Sequence, residues 1–190
     1  MKKIILIDNF DSFTYNLKQI LGFYFDGFVE VRRNNEIDIL YIQKNNFSGI
    51  VISPGPGKPN DVPFSKEIIS KFYQVKPILG ICLGMQCLNE TFGGITIKAD
   101  YPVHGKTSKI SHSKTGIFND IPQNIEVARY HSLIIDNLPS SLEITAKNES
   151  GIIMGIQHKK YPLFGLQFHP ESFLTQFGKE IILNFLKFVK

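Results

Sequence analysis

Three short, uninterrupted apolar runs, Ile4–Ile7, Gly49–Ser53 and Pro77–Ile81, constrain the fold more than any other feature of the sequence. Continuous apolar stretches, rather than alternating ones, suit strands covered on both faces, as in a parallel sheet. Each run gives way to a polar or Gly/Pro turn and then to a segment with helical spacing. The first segment extends from Ser12 to about Phe25, with Tyr15, Leu17, Ile20, Leu21 and Tyr24 at helical intervals. Asp11 or Ser12 is placed to cap its N-terminus. Phe64–Tyr73 and Leu83–Phe92 follow the second and third runs, and Gly93-Gly94 is placed to end the latter helix. Phe28–Arg32 predicts a further strand. Strands alternating with helices predict βαβ units with right-handed crossovers.

The second half has a different rhythm. Ile125–Tyr130, Leu142–Ala146, Ile152–His158 and Leu163–Phe168 are strand-like and separated by turn signals, with no helix-length pattern between them. Some of these strands are therefore expected to be antiparallel. Gln176–Val189 predicts a closing amphipathic helix. The expected fold is α/β and flavodoxin-like, one domain over residues 1–190. A mostly parallel central sheet is flanked by helices and carries an antiparallel extension.

Composition narrows the function classes. The chain has 190 residues, 43% hydrophobic and 20% charged, enough to build a core without disulfides or metal. Disorder, collagen and coiled coil are excluded as the dominant state. The formal net charge is +4, and the Lys residues lie mostly singly or in pairs. That pattern argues against a nucleic-acid partner. Cys82 and Cys87 would stand about 140° apart on one helix and could not bridge each other. No CxxC pair suggests zinc. Free thiols suggest a reducing compartment. The apolar run before Asp8 is too short for a secretory signal, and no stretch approaches the ~20 apolar residues of a membrane span. A cytoplasmic protein without membrane contact is expected.

The segment Ile78-Leu79-Gly80-Ile81-Cys82-Leu83-Gly84-Met85-Gln86 carries the clearest chemistry. A buried strand ends at a Cys with Gly two residues before and two after, the form of a nucleophile elbow. Such a turn leaves no room for Cβ atoms beside it and strains the nucleophile's backbone. Its side chain is then exposed at the carboxyl end of the sheet, where open α/β sheets bind ligands. The helix N-terminus favours the thiolate, the reactive form. The backbone N–H of Leu83 is free to stabilise an oxyanion. The plain alternative is a buried structural thiol, which is the reading for Cys87.

A Cys nucleophile needs a base, and the base an orienting group. Of the five His, only His169 sits just past a strand, in Gly165-Leu166-Gln167-Phe168-His169-Pro170-Glu171. In extended chain, residues two apart share a face, so Glu171 can lie beside His169. A Cys82–His169–Glu171 triad follows, with His169 as general base and acid. Ser53-Pro54-Gly55-Pro56-Gly57-Lys58-Pro59 follows another buried strand. It lacks the spacing of a phosphate loop. Its rigid Pro–Gly alternation suits a backbone surface on the substrate side of Cys82, with Gly57 supplying an oxyanion N–H.

These motifs together resemble the class I (triad) glutamine amidotransferases. The likeness runs the full length: Asp8-Asn9-Phe10-Asp11-Ser12-Phe13-Thr14-Tyr15-Asn16, then Ser53–Gly57, Gly80–Gln86, His104-Gly105-Lys106, Arg129-Tyr130-His131-Ser132-Leu133 and Gln167–Ser172. The opening motif is similar to the chorismate-pathway branch, the glutaminase components of anthranilate synthase and aminodeoxychorismate (4-aminobenzoate) synthase, rather than the GMP, CTP or carbamoyl-phosphate branches. Position 85 is Met, where this branch often has His and other class I branches have Met.

The resemblance implies that Cys82 attacks the side-chain amide of glutamine and forms a γ-glutamyl thioester. Gly57 and Leu83 would form the oxyanion hole. Gln86, Ser132, Leu133 and the Gly55-Pro56-Gly57 backbone would hold the substrate's α-amino and α-carboxyl groups. No cofactor is implied in this chain. The implied partner is a chorismate-binding synthase subunit that carries Mg²⁺ and receives the ammonia. Asp11–Tyr15 and His104–Lys106 are the motifs assigned to that partner. His112 and His158 are expected to be ordinary surface or strand residues. Two further readings stay open: a stand-alone γ-glutamyl hydrolase or peptidase, and a non-catalytic flavodoxin-like interaction module.

Overall fold

The computed structural model describes residues 1–190, with the side chain of His104 outside the described residues. The chain runs β1 (Lys3–Asp8), α1 (Thr14–Tyr24), β2 (Phe28–Arg33), α2 (Ile39–Asn45), β3 (Gly49–Ile52), α3 (Pro63–Phe72), β4 (Ile78–Ile81) and α4 (Leu83–Thr91). It continues through β5 (Ile95–His112), β6 (Ile125–Asn137), β7 (Leu142–Asn148), β8 (Ile153–His158), β9 (Leu163–Leu166) and α5 (Gly178–Leu186). Hydrogen bonds join the strands into one sheet, in the order β2-β1-β3-β4-β9-β8-β7-β5-β6. The pairings from β2 to β9 are parallel, and those from β9 to β6 are antiparallel.

The parallel half has apolar residues on both faces because both are covered. Leu17 and Leu21 of α1 pack with Ile181, Ile182 and Phe185 of α5 against one face. Ile68, Ile69 and Phe72 of α3 and Leu88 of α4 pack against the other, with Ile42 of α2. Each fully buried side chain of this size contributes about 1.5–3 kcal/mol. Among the described residues no helix is long and apolar enough to cross a membrane.

Several local expectations change. Neither Asp11 nor Ser12 caps α1, which starts at Thr14. The Asp11 carboxylate instead accepts the Phe13 N–H at 2.7 Å, closing a turn just ahead of the helix. Thr14 donates its hydroxyl to Asp8 at 2.8 Å. The sequence reading passes over α2, whose Asp38 N-cap accepts the Tyr41 N–H. It also passes over β5 and stops β6 at Tyr130, seven residues short of its end at Asn137. Leu163–Leu166 joins the parallel side, beside β4. The expected end of α4 holds: Gly93 and Gly94 donate to the carbonyls of Glu90 and Asn89, and Gly93 takes φ 92°, a left-handed helix termination.

Candidate active site

The site is assembled at the carboxyl edge of three adjacent parallel strands. Ile52 of β3 pairs with Gly80 of β4, and Ile81 of β4 pairs with Leu166 of β9. The loops after these strands carry Gly55–Gly57, Cys82 and His169, so the sheet alone brings the three together. The fourth wall comes from β6, distant in the strand order. The segment after β9 closes that gap along the edge of β6: His169 N–H donates to Ala128 O at 3.2 Å, and Gln176 N–H to Glu126 O at 2.8 Å.

Cys82 sits between β4 and α4 with φ 50° and ψ −102°, a conformation that L-residues adopt only under constraint. The constraint is steric. A Cβ on Gly80 would stand 2.5 Å from the Gly84 carbonyl, and one on Gly84 would stand 2.5 Å from Ile52 O. The helix therefore starts closer to the sheet than any larger residue permits. Cys82 N–H donates to Leu166 O at 2.7 Å, which ties the elbow to β9. Leu83 occupies the first position of α4, where helical geometry leaves an N–H without an intrahelical partner.

His169 is buried and donor-acceptor paired through Nδ1 to Glu171 Oε1 at 2.7 Å, with side chains 2% and 0% exposed. Nε2, the other ring nitrogen, makes no aligned hydrogen bond. Burial by itself would lower the His169 pKa. The neighbouring Cys82 side chain and then the Glu171 carboxylate outweigh burial and raise it to about 10. The imidazole is thereby held protonated at neutral pH, oriented by Glu171 and adjacent to the sulfur. Cys87, buried one helical turn further on, has its thiol pushed up to about 12 by that burial and takes no part.

In front of Cys82 lies a cavity of about 160 Å³, lined by Gly55, Pro56, Gly57, Cys82, Leu83, Gln86 and the Tyr130–Leu133 stretch of β6. All seven residues expected to hold substrate line it, together with Tyr130 and His131, which sequence reasoning does not place there. Gln86 Nε2 donates to Leu133 O at 3.3 Å and to Gln167 Oε1 at 3.2 Å. Gln167 Nε2 in turn approaches Cys82 Sγ at 3.5 Å. Arg129 Nε donates to His131 Nε2 at 3.1 Å, so the His131 ring donates through Nδ1 to Leu133 O at 2.9 Å. The wall formed by Gln86 and β6 is thus fixed by a hydrogen-bond network that reaches the sulfur through Gln167. Gln167 has no role in the sequence reading, although its i, i+2 spacing with His169 carries the signal.

A buried sulfur beside a small cavity, with an imidazolium and an orienting carboxylate next to it, suits acyl transfer through a thioester. A family model, described as glutamine amidotransferase class-I, matches residues 5–188. The chain belongs to the class I glutamine amidotransferases. It is 50% identical to the anthranilate synthase component 2 of Pyropia yezoensis, over 97% of this chain and 99% of that one. It is 49% identical to the bifunctional protein TrpGD of Thermotoga maritima, over 98% of this chain but 32% of that protein. Among the multifunctional relatives it matches, the chain spans between a quarter and a half of their length. A crystal structure described as that of a GMP synthase subunit from Thermoplasma acidophilum superposes with a TM-score of 0.87 at 30% identity, over 100% of this chain and 94% of that one.

Other expectations concern residues away from the cavity. Met85, where a chorismate-branch His was noted, is fully buried, and a Cβ on Gly165 of β9 would lie 2.8 Å from it. Lys106 is exposed, and its motif neighbour His104 has its side chain outside the described residues. The Asp11–Tyr15 stretch, assigned whole to a partner, divides: Tyr15 is 64% exposed, but Thr14 is buried and the Phe13 ring packs on His169. His112 and His158 lie outside this site, half-buried at the ends of β5 and β8, His112 stacked on Phe118 and His158 packed among Tyr73, Phe92 and Tyr161.

Proposed function

We propose that this chain is the glutaminase subunit of a chorismate-utilising synthase. Cys82 Sγ attacks the side-chain amide carbon of glutamine, and the N–H groups of Gly57 and Leu83 stabilise the oxyanion. The C–N bond breaks as His169 Nε2 gives its proton to the departing nitrogen, leaving ammonia and a γ-glutamyl thioester on Cys82. Water then attacks the thioester, His169 takes its proton, and glutamate departs with the thiolate restored. Glu171 keeps the imidazole oriented throughout. These steps balance with side chains and one water, so the reading assigns no cofactor to this chain and places Mg²⁺ in the partner.

The observation that carries the reading is the buried His169–Glu171 pair beside Cys82, which itself lines a cavity together with Gly55, Gly57, Gln86 and Ser132. Gln86, Ser132, Leu133 and the Gly55-Pro56-Gly57 backbone would hold both polar ends of free glutamine. The cavity's small size supports glutamine over a γ-glutamyl peptide. Similarity to chains named anthranilate synthase component 2 supports a synthase partner. Ammonia made here would pass to chorismate in that partner, giving anthranilate or 4-amino-4-deoxychorismate.

Mixing the protein with each purified synthase, glutamine and chorismate tests this. Glutamate release and one aromatic product are expected, lost in Cys82→Ala but restored to synthesis by free ammonia. Undiminished glutamate release by Cys82→Ala, or no complex with either synthase, overturns the proposal.

A further inference from the structure

We infer that Phe13 is a positioning residue for His169, which deepens the reading above of His169 as the proton-transfer group. One hydrogen bond, from Nδ1 to Glu171, holds one edge of the imidazole but leaves the edge that carries Nε2 some freedom to tilt. Two aromatic rings remove this freedom. The Phe13 ring lies 5.6 Å from the His169 ring at an interplanar angle of 66°, and the Tyr130 ring lies 5.0 Å away at 78°. Phe13 and Tyr130 also touch each other, 5.2 Å apart, so the imidazole meets a joined pair. Both contacts are edge-to-face arrangements, the favoured geometry for aromatic partners. Tyr130 lines the cavity itself, whereas Phe13 does not. Phe13 therefore touches no substrate itself and acts on the reaction through the His169 ring and the Tyr130 ring packed against it.

Phe13 is held rigidly enough for this task. Its N–H goes to Asp11 Oδ2 at 2.7 Å, and its carbonyl accepts the Asn16 and Leu17 N–H groups that begin α1. The turn is tied further back by Asn9, whose N–H goes to Ser53 Oγ at 2.9 Å and whose Nδ2 goes to Ser53 O at 3.1 Å. A Cβ on Gly55 would stand 2.5 Å from Asn9 O. One turn thus braces the loop carrying Gly55–Gly57 on one side and the imidazole on the other. The ionisable groups around His169 are Cys82 from the β4–α4 elbow, Glu171 from its own loop, Asp11 from this turn and Tyr130 from β6.

The test compares Phe13→Leu, which keeps apolar volume without a ring, with Phe13→Tyr, which keeps the ring; Phe13→Met replaces the Leu variant if that one loses its fold. Two quantities are read: glutaminase kcat and KM beside the synthase, and the pH profile of Cys82 alkylation by iodoacetamide, which needs no substrate. Phe13→Leu is expected to lose about 10- to 100-fold in kcat with KM within about threefold, as misplaced catalytic groups do. Its alkylation profile departs from that of wild type, because a turned imidazole no longer faces the sulfur. Phe13→Tyr keeps both. Wild-type kcat and an unchanged alkylation profile in Phe13→Leu would overturn the inference, as would a kcat loss matched in Phe13→Tyr. Should the wild type hydrolyse no glutamine at all, the proposed function fails while the alkylation profiles still decide the role of Phe13.

Discussion

Replacing Glu171 with Gln tests how the site holds its imidazole. The substitution keeps the size of the side chain and removes its charge. In the native site a single 2.7 Å contact joins Glu171 Oε1 to His169 Nδ1, and the other oxygen, Oε2, is buried with no partner. An amide has two ways to sit there. If its oxygen faces Nδ1, its NH₂ group is buried without an acceptor, a penalty of about 1–3 kcal/mol. If its NH₂ group faces Nδ1, the ring must carry its proton on Nε2 and cannot accept one from sulfur or water. Either arrangement also withdraws part of the support that raises His169 from 6.5 to about 10, a shift worth roughly 5 kcal/mol in total, shared between Cys82 and Glu171. A fall in kcat of about 10²–10⁴-fold is expected, or roughly 3–5 kcal/mol of barrier, with a smaller change in KM. Glutamate release at saturating glutamine beside the synthase measures it, with circular dichroism confirming the fold. A kcat within threefold of wild type would refute the reasoning, because it would leave the buried carboxylate without a catalytic role.

Further outcomes follow from packing and linkage. Gly84→Ala forces a Cβ to within 2.5 Å of Ile52 O, and thermal melts should show a loss of about 3 kcal/mol, roughly 6–12 °C in Tm. The raised His169 pKa adds stability that is complete below 6.5 and lost as pH rises toward 10. The Tm advantage of wild type over His169→Asn should therefore narrow between pH 6 and pH 10, and a constant difference would contradict the assigned shift. Limited alkylation of the native protein should modify Cys82 and spare Cys87, whose thiol is fully buried and pushed up to about 12; peptide mapping reads the result.

The parallel half of the fold was legible because burial on both faces leaves uninterrupted apolar runs, as at Ile4–Ile7 and Ile78–Ile81. The long strand β5 was not. It carries Pro102 and Gly105 inside its span, and its pairing with β6 shifts register at Lys98/Val103 and at His104/Lys106. Those interruptions resemble loop signals, and only contact with β6 overrides them. Helix α2 leaves little periodic signal in the sequence because it is seven residues long and buries Ile42 alone. In the site, Cys82, His169 and Glu171 stood out because their chemistry and spacing are local. Phe13, Tyr130, His131 and Gln167 owe their places to contacts between segments distant in the chain, as between Gln167 and Gln86 at 3.2 Å. The Asp11–Tyr15 motif is only partly exposed, because a single stretch turns Phe13 toward His169, buries Thr14 and leaves Tyr15 outward.

Acid-quenching the synthase-bound protein during glutamine turnover and mapping its peptides by mass spectrometry tests the central claim most directly. A glutamyl adduct on the peptide carrying Cys82, absent in Cys82→Ala and discharged when glutamine is exhausted, is the predicted result. Glutamate release at full rate with no adduct on Cys82, or with the adduct on another residue, would contradict it.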